Sequence, residues 1–176
     1  MPKGRRGRNP ESVRVILDLA VREQTAEIDR IKAIDAKTSP LFAGATAAIG
    51  VVAGLLSSPA PFPLFIWSKG IMVVALGYFL IAHWFCLQAI RIRTYYQPRP
   101  EAWNNPDLMR QEAEQVMAVL ISTYEETLRA NGKVREQKAE AHELAFWFLA
   151  SGVWALALAF LAAWLLASHQ QGDLLP

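Results

Sequence analysis

The chain has 176 residues, of which 53% are hydrophobic and 19% charged, and its net charge is +2. This composition is too apolar for an ordinary water-soluble domain, in which about a quarter of the residues are charged. A single cysteine excludes an intrachain disulfide and a structural zinc site built on several thiolates. The composition therefore favours an integral membrane protein.

The amino-terminal part of the chain is polar. Residues 1–9 carry four basic side chains among glycine and proline, which predicts a disordered basic tail near anionic lipid headgroups. Nucleic-acid binding is poorly supported, because these four residues have no folded reader and no interleaved aromatic side chains. Residues 10–38 begin with a helix-start pattern and carry apolar residues at heptad-like spacing, so they predict a cytosolic amphipathic helix.

Three apolar stretches approach or exceed the ~20 residues that cross ~30 Å of hydrocarbon. They are residues 41–57, which are slightly short, 71–90 and 144–167. Ser39-Pro40 predicts a break before the first span, since proline disrupts a helix interior. The three predicted spans are named TM1, TM2 and TM3 in chain order.

The connections between spans are polar or rich in proline. Residues 58–70 have three prolines within five positions, which predicts an external loop. Residues 91–104 predict a cytosolic loop. Apart from Lys69, every lysine and arginine lies before TM1 or between TM2 and TM3. The positive-inside rule then places the amino terminus in the cytosol and the tail, residues 168–176, outside.

A long segment joins the second loop to TM3. It begins at Asn105-Pro106-Asp107, which combines an N-cap residue, a proline at the first helical position and an acid in the first turn, and no proline interrupts the residues that follow. Residues 105–143 are amphipathic and charged, and they lead directly into the uncharged TM3. The sequence therefore predicts an all-α integral membrane protein with three transmembrane helices plus a cytosolic helical hairpin, whose second helix is continuous with TM3.

Two spans carry small residues at every fourth position. Such faces let helix backbones approach closely in lipid, where hydrophobic exclusion does not drive association. The candidates for helix packing are Thr46, Gly50 and Gly54 on TM1, and Ser151, Ala155 and Ala159 on TM3. We expect the TM1 face to form the tightest helix contact in the membrane.

His83 is the one ionisable side chain deep in a predicted span. Ionisable groups inside a membrane are functional candidates by default, so lining a pore is one interpretation. We favour the other, in which a neutral imidazole forms a hydrogen bond to a neighbouring helix, for example near Thr46.

Two further polar features lie in or beside the cytosolic segments. Asp35 and Lys37 stand at the cytosolic mouth of TM1, where a charge pair would hold the first helix against the long helix. Asn131-Gly132 interrupts the second amphipathic segment, and glycine costs ~1 kcal/mol relative to alanine in a helix. Three interpretations remain: a continuous helix with a local irregularity, a hinge, or a buried asparagine that fixes register or oligomer number.

The sequence offers little for catalysis. Its three histidines fall in different layers of the predicted topology and cannot converge on one metal. No glycine-rich phosphate loop, nucleophile elbow or pair of intramembrane carboxylates is present. We therefore predict neither an enzyme nor a cofactor.

The first amphipathic helix ends in Ile34-Asp35-Ala36-Lys37-Thr38, an Asp-x-Lys-Thr motif that is followed directly by the small-residue span beginning Leu41-Phe42-Ala43. This arrangement resembles the transmembrane effectors of Pycsar anti-phage systems. A second likeness is the basic helix, residues 131–138, that leads into the last span. The resemblance implies a protein of the bacterial inner membrane that damages the membrane when a cyclic-nucleotide signal follows phage infection. It identifies no nucleotide site, because no residue here matches one.

Two functions follow. The first is an anti-phage membrane effector that forms a homo-oligomer in the lipid bilayer and impairs it when a cyclic-nucleotide signal or a soluble defence partner acts, without nucleic acid. The alternative is a non-enzymatic membrane scaffold or accessory subunit, whose cytosolic helices recruit a soluble partner. A transporter is disfavoured, because three spans lack inverted repeats and broken helices.

Overall fold

The computed structural model describes residues 10–57, 66–92, 96–97 and 113–172, which contain three α-helices and no strand. These helices are α1 (Pro10–Ser57), α2 (Ile66–Arg91) and α3 (Ala113–Gly172). Each contains an apolar window long enough to cross a membrane by length and composition. The predicted all-α class with three span-length helices is therefore confirmed.

Several predicted segments lie wholly or partly outside the described residues. The basic tail, the helix start at Asn105-Pro106-Asp107 and most of both loops are among them, as are the last four residues of the chain. The described chain divides into two units. Unit 1 contains residues 10–33, 96–97 and 113–137, whereas unit 2 contains residues 138–172 and the described part of 34–92.

The core of unit 2 lies where its three helices meet. Val52 of α1 and Ala159 of α3 are fully buried there with Met72, Ala75 and Phe79 of α2. In a bilayer, contacts of this kind stabilise a bundle through close packing, because lipid tails are as apolar as the side chains. The polar contacts described below join α1 to α3 in the same residue order, so these two helices run parallel within the unit.

Burial repeats every seven residues along each helix of unit 2. A seven-residue repeat corresponds to 3.5 residues per turn and is typical of the left-handed packing of helical bundles. The buried positions in these series are Thr38, Ala45 and Val52 on α1, Ser68, Ala75, Ala82 and Ala89 with Met72, Phe79 and Cys86 on α2, and Lys138, Ala145, Gly152 and Ala159 on α3, where Ala141 is also buried.

The small-residue face of TM1 is not closely packed within the described chain, although Thr46 contacts His83 of α2. Thr46, Gly50 and Gly54 are exposed, and a Cβ built on either glycine would have nothing within 4 Å. The buried face of α1 instead follows Val52 and the positions seven residues apart from it. Gly54 lies two residues from Val52, about 200° around the helix, and therefore points away from the bundle. The expectation of a tight contact here is wrong for a single copy of the chain.

The TM3 face is closer to the prediction. Ala159 is fully buried, and Ser151 and Ala155 are half-buried. Beside them, Gly152 belongs to the buried seven-residue series of α3, and a Cβ built on it would be 2.5 Å from Phe79 Cε1. Spacing of four therefore located the packed side of this helix, although it missed the residue at its centre.

The predicted break at Ser39-Pro40 is wrong, since α1 continues as a helix through Pro40. A proline inside a helix removes one hydrogen bond and crowds the carbonyl of the residue four positions earlier. Membrane helices tolerate this where neighbouring helices and threonine side chains support the backbone. Here the Thr38 hydroxyl donates to the carbonyl of Ile34 at 2.8 Å, and Thr38 also contacts α3. These contacts stabilise the helix immediately before the proline.

Candidate functional site

A buried lysine is paired with an aspartate of a neighbouring helix in unit 2. The side chain of Lys138 on α3 is 1% exposed, and its Nζ lies 2.5 Å from Oδ1 of Asp35 on α1, whose side chain is 42% exposed. A charge this deeply buried is costly unless it is paired. Asp35 supplies the counter-charge and remains in contact with the surroundings of the protein.

Sequence reasoning identified Asp35 but missed Lys138. Lys138 belongs to a mixed-charge run that is typical of a solvated helix face. The spacing along the chain could have indicated that Lys138 is buried, because it lies seven residues after Asn131 and fourteen after Tyr124, and all three are buried. Lys37, the other predicted residue of the motif, is exposed.

Thr38 and His142 form a second contact between α1 and α3, adjacent to the ion pair. Thr38 Oγ1 lies 3.0 Å from His142 Nδ1. The hydroxyl has one proton, and it donates that proton to the Ile34 carbonyl at 2.8 Å. Thr38 therefore accepts a hydrogen bond from the Nδ1–H of His142, which leaves Nε2 as the nitrogen that can take up a proton.

The pKa of His142 is lowered from its ordinary value of 6.5, first by burial of the imidazole and second by the positive charge of Lys37. Both effects disfavour the imidazolium. The imidazole is consequently neutral near pH 7. Asp35, Thr38, Lys138 and His142 are called the polar cluster below.

His83 makes the same type of contact between α1 and α2. Its Nδ1 lies 3.3 Å from Thr46 Oγ1, and Thr46 donates its hydroxyl proton to the Phe42 carbonyl at 2.9 Å. The imidazole also stacks on the Phe42 ring, with 4.4 Å between the ring centres. The structure thus brings His83 and Thr46 together, as the interhelical interpretation requires. The pore-lining role remains a prediction.

In unit 1 a buried glutamate links α1 to α3. Both oxygens of Glu27 face Arg135, with Nε 3.2 Å from Oε1 and Nη1 3.3 Å from Oε2. Arg30 approaches Oε2 at 3.2 Å from the same helix as Glu27. Arg135 thus donates one hydrogen bond, to Oε2, and its Nε adds a charge contact with Oε1, which has no hydrogen-bond partner among the described residues. Glu27 is buried, whereas Arg30 is exposed.

Asn131, predicted as a hinge or register residue, binds the backbone of the segment that follows α2. Its amide nitrogen donates to the Tyr96 carbonyl at 3.0 Å, and its amide oxygen accepts from the Tyr96 N–H at 2.7 Å. The side chain is fully buried. Gly132 lies in continuous helix, and a Cβ built there would meet nothing within 4 Å. The continuous-helix interpretation describes the backbone, whereas the hinge and register roles remain predictions.

The polar groups described above are contacts between helices. Among the described residues, no group of three or more histidine, cysteine, aspartate or glutamate side chains could hold a metal ion. The cluster in unit 2 consists of an ion pair and a hydrogen-bonded threonine–histidine pair. Such groups hold helices together, and their strength depends on charge and hydration.

Fold and site together define a helical membrane protein whose spans are joined by buried polar contacts. Residues 19–166 match the family model of the Pycsar effector protein domain. The chain belongs to this family, whose members are membrane effectors of anti-phage signalling. The resemblance noted from its sequence is therefore confirmed. No curated protein and no solved structure matches the chain.

Proposed function

We propose that the protein is the membrane effector of a bacterial anti-phage system, which assembles into a homo-oligomer and impairs the inner membrane when triggered. The family match supports the effector class. Assembly is supported by an exposed, uncharged face of α1. We further propose a cytosolic amino terminus and an external carboxy terminus, on the basis of the charge bias in the sequence.

One position of the seven-residue repeat on α1 is exposed and uncharged throughout, and its residues define the exposed face of α1. Its members are Leu19, Ala26, Ala33, Pro40, Ala47 and Gly54, all exposed. They extend over about 50 Å at 1.5 Å per residue. In the proposed topology the first half of this face lies in water and the second half in lipid. Exposed positions of a helix in water are usually polar or charged, so the uncharged first half favours a covered surface.

A second copy of the chain suits this face better than other occupants. Lipid would cover Ala47 and Gly54 but could not reach Leu19, about 33 Å before the predicted start of TM1. A soluble protein would reach Leu19 but not Gly54. Another copy has helices that begin in water and continue into the membrane, and small residues allow their backbones to approach closely.

The polar cluster supports the proposed effect on the membrane. Lys138 and Thr38 are buried between α1 and α3, and Thr38 contacts His142. A rearrangement that separates these helices would expose the lysine, the threonine and the histidine to water. Polar groups in that position favour hydration of the gap between helices. A leak for ions would follow. The trigger we propose is a cyclic-nucleotide signal or a soluble defence partner.

Disulfide cross-linking in native membranes tests assembly. Ala47→Cys in a Cys86→Ala background should yield cross-linked dimers upon mild oxidation. Val74→Cys provides the matched control, because Val74 is 55% exposed on α2 and lies outside the proposed face. Equal cross-linking at the two positions, or none at Ala47, would argue against this interface.

The scaffold alternative is favoured by one observation. Val15, Ile16 and Leu19 are 64%, 48% and 57% exposed at the beginning of α1, far from the predicted membrane. An apolar patch in water is typical of a docking site for a protein partner. Purification separates the two functions: a stable complex with a soluble enzyme and no conductance supports the scaffold, whereas a homomeric assembly supports the effector.

A further inference from the structure

We propose that the polar cluster is an acid-sensitive lock between α1 and α3, which is closed while His142 is neutral and is weakened when His142 takes up a proton. Its consequence for membrane activity rests on the proposed function: a fall in pH on the cytosolic side would favour the active state. The lock itself is a property of helix pairing in unit 2 and can be measured without any membrane activity.

The lock depends on an unbalanced set of charges. Lys138 stands one helical turn before His142 on the same face of α3, and its ammonium contacts Asp35. Lys37 on α1 adds a second positive charge that acts on His142. While the imidazole is neutral, the one carboxylate of the cluster is already paired with Lys138, so it cannot also balance a charge on His142.

Other charged groups near this level of the helices are exposed. On α3 they are Glu140 and Glu143, and on α2 the charged residue is Arg91 at the helix end. Burial and Lys37 are the causes that lower the pKa of His142.

The position of the new proton follows from the hydrogen bonds. Nδ1–H already donates to Thr38, so protonation occurs at Nε2 and produces an imidazolium. The cluster then contains two cations, Lys138 and His142, and one carboxylate, while the nearby Lys37 adds a positive charge that acts on His142. Repulsion and the need to hydrate the new charge both favour separation of α1 from α3.

Acidification weakens the lock. His142 has a lowered pKa in the closed arrangement and an ordinary one, 6.5, where it is hydrated. The open or unfolded state therefore binds the proton more tightly than the closed state. The lock contributes its full stability above about pH 6.5 and loses it progressively as the pH falls below that value.

His83 provides a matched control within the same molecule. It repeats the threonine–histidine contact through Thr46, with Phe42 stacked on its ring. It lacks a described ion pair beside it comparable to Lys138 and Asp35. The two histidines therefore separate the effect of the contact from the effect of the surrounding charges.

Thermal unfolding of the full chain in dodecyl maltoside micelles, at about pH 7.5 and about pH 5.5, brackets the ordinary pKa of histidine and tests the lock. We expect the Tm to fall on acidification by on the order of 2–4 °C. His142→Asn should remove most of this fall, because the asparagine amide can donate to Thr38 but cannot be protonated. His83→Asn should retain it. An equal fall in His142→Asn and the wild type would overturn the proposal.

A second variant keeps the test valid if His142→Asn is poorly folded. Lys37→Gln changes an exposed side chain and removes one cation that lowers the pKa of His142. NMR titration of labelled histidines in the same micelles should then show the His142 midpoint at higher pH than in the wild type. An unchanged midpoint would contradict the lock.

Dye release from vesicles of phosphatidylethanolamine and phosphatidylglycerol separates the lock from the proposed function. Release that increases on acidification in the wild type but not in His142→Asn supports both. A His142-dependent fall in Tm without release at either pH supports the lock and contradicts the leak. Release that is independent of pH and of His142 contradicts the lock.

Discussion

The backbone of Gly152 lies directly against the ring of Phe79. A Cβ built on Gly152 would be 2.5 Å from Cε1 and 2.7 Å from Cδ1 of this fully buried side chain. Real Cβ atoms do not approach carbon atoms so closely. Position 152 therefore requires glycine for α2 and α3 to pack as they do, although glycine is the weaker helix former.

Gly152→Ala should destabilise the bundle by about 1–3 kcal/mol, the usual cost of overpacking a filled core. Gly50→Ala is the matched control, because its Cβ would meet nothing within 4 Å. Unfolding in mixed micelles measures both. Phe79→Leu should partly rescue Gly152→Ala by removing the ring atoms that clash. If the Gly152 and Gly50 variants are equally stable, the close contact is not as described.

The ion pair between Asp35 and Lys138 should show strong coupling in a double-mutant cycle. Asp35→Ala leaves a 1% exposed ammonium without its partner. Breaking a buried pair from one side costs ~3–5 kcal/mol, and the 42% exposure of Asp35 places our expectation near or below the lower value. Lys138→Met should cost less, because an apolar chain fits the buried site.

The double variant Asp35→Ala with Lys138→Met should be more stable than Asp35→Ala alone. Its stability, measured by the same unfolding assay, reports the penalty of the unpaired lysine rather than the strength of the pair. Asp18 and Arg22 form an exposed pair on α1 and provide the control, with side chains 62% and 76% exposed. We expect Asp18→Ala to change stability by less than about 1 kcal/mol. Equal costs at Asp18 and Asp35 would show that burial of Lys138 has no energetic effect.

Asn131→Leu should release the segment that follows α2. The change removes two hydrogen bonds and leaves the N–H and C=O of Tyr96 without their partner, at a cost of about 1–3 kcal/mol for each group that stays buried. Hydrogen exchange at residues 96–97 should become faster. Unchanged exchange at Tyr96 would contradict a role for Asn131 in holding this segment.

Gly132→Ala tests the adjacent hinge hypothesis. The open space around Gly132 and its place in continuous helix predict a gain of up to about 1 kcal/mol in helix stability. If bending at this position is part of switching, the variant should assemble normally and depolarise membranes less than the wild type. If neither assembly nor depolarisation changes, the segment is a straight strut.

The sequence predicted those features that depend on local composition. Uncharged runs of about 20 residues identified the three span-length helices, because a helix that crosses lipid needs apolar side chains over the full hydrocarbon thickness. The motif around Asp35 and the contact of His83 with Thr46 were also located, since a polar group in a span must find a partner.

Features that depend on the choice of buried face were harder to predict. Lys138 and Glu27 occupy positions that a hydrophobic pattern assigns to solvent, and the partners of Lys138, Glu27 and Asn131 lie far away in the chain. The contrast between Gly152, which packs on Phe79, and Gly54, which meets nothing, has the same origin. Small residues permit close packing on either side of a helix, and only the seven-residue series of buried positions distinguishes the two.

Membrane potential in bacteria that express the full chain tests the central claim most directly. A potential-sensitive dye should report depolarisation after phage infection of cells that carry the complete defence system. Ala47→Trp, on the proposed face between copies, should abolish it, whereas Val74→Trp, on an exposed part of α2, should not. Cells that stay fully polarised with the wild-type protein, or that depolarise equally with Ala47→Trp, would contradict an oligomeric effector that impairs the membrane.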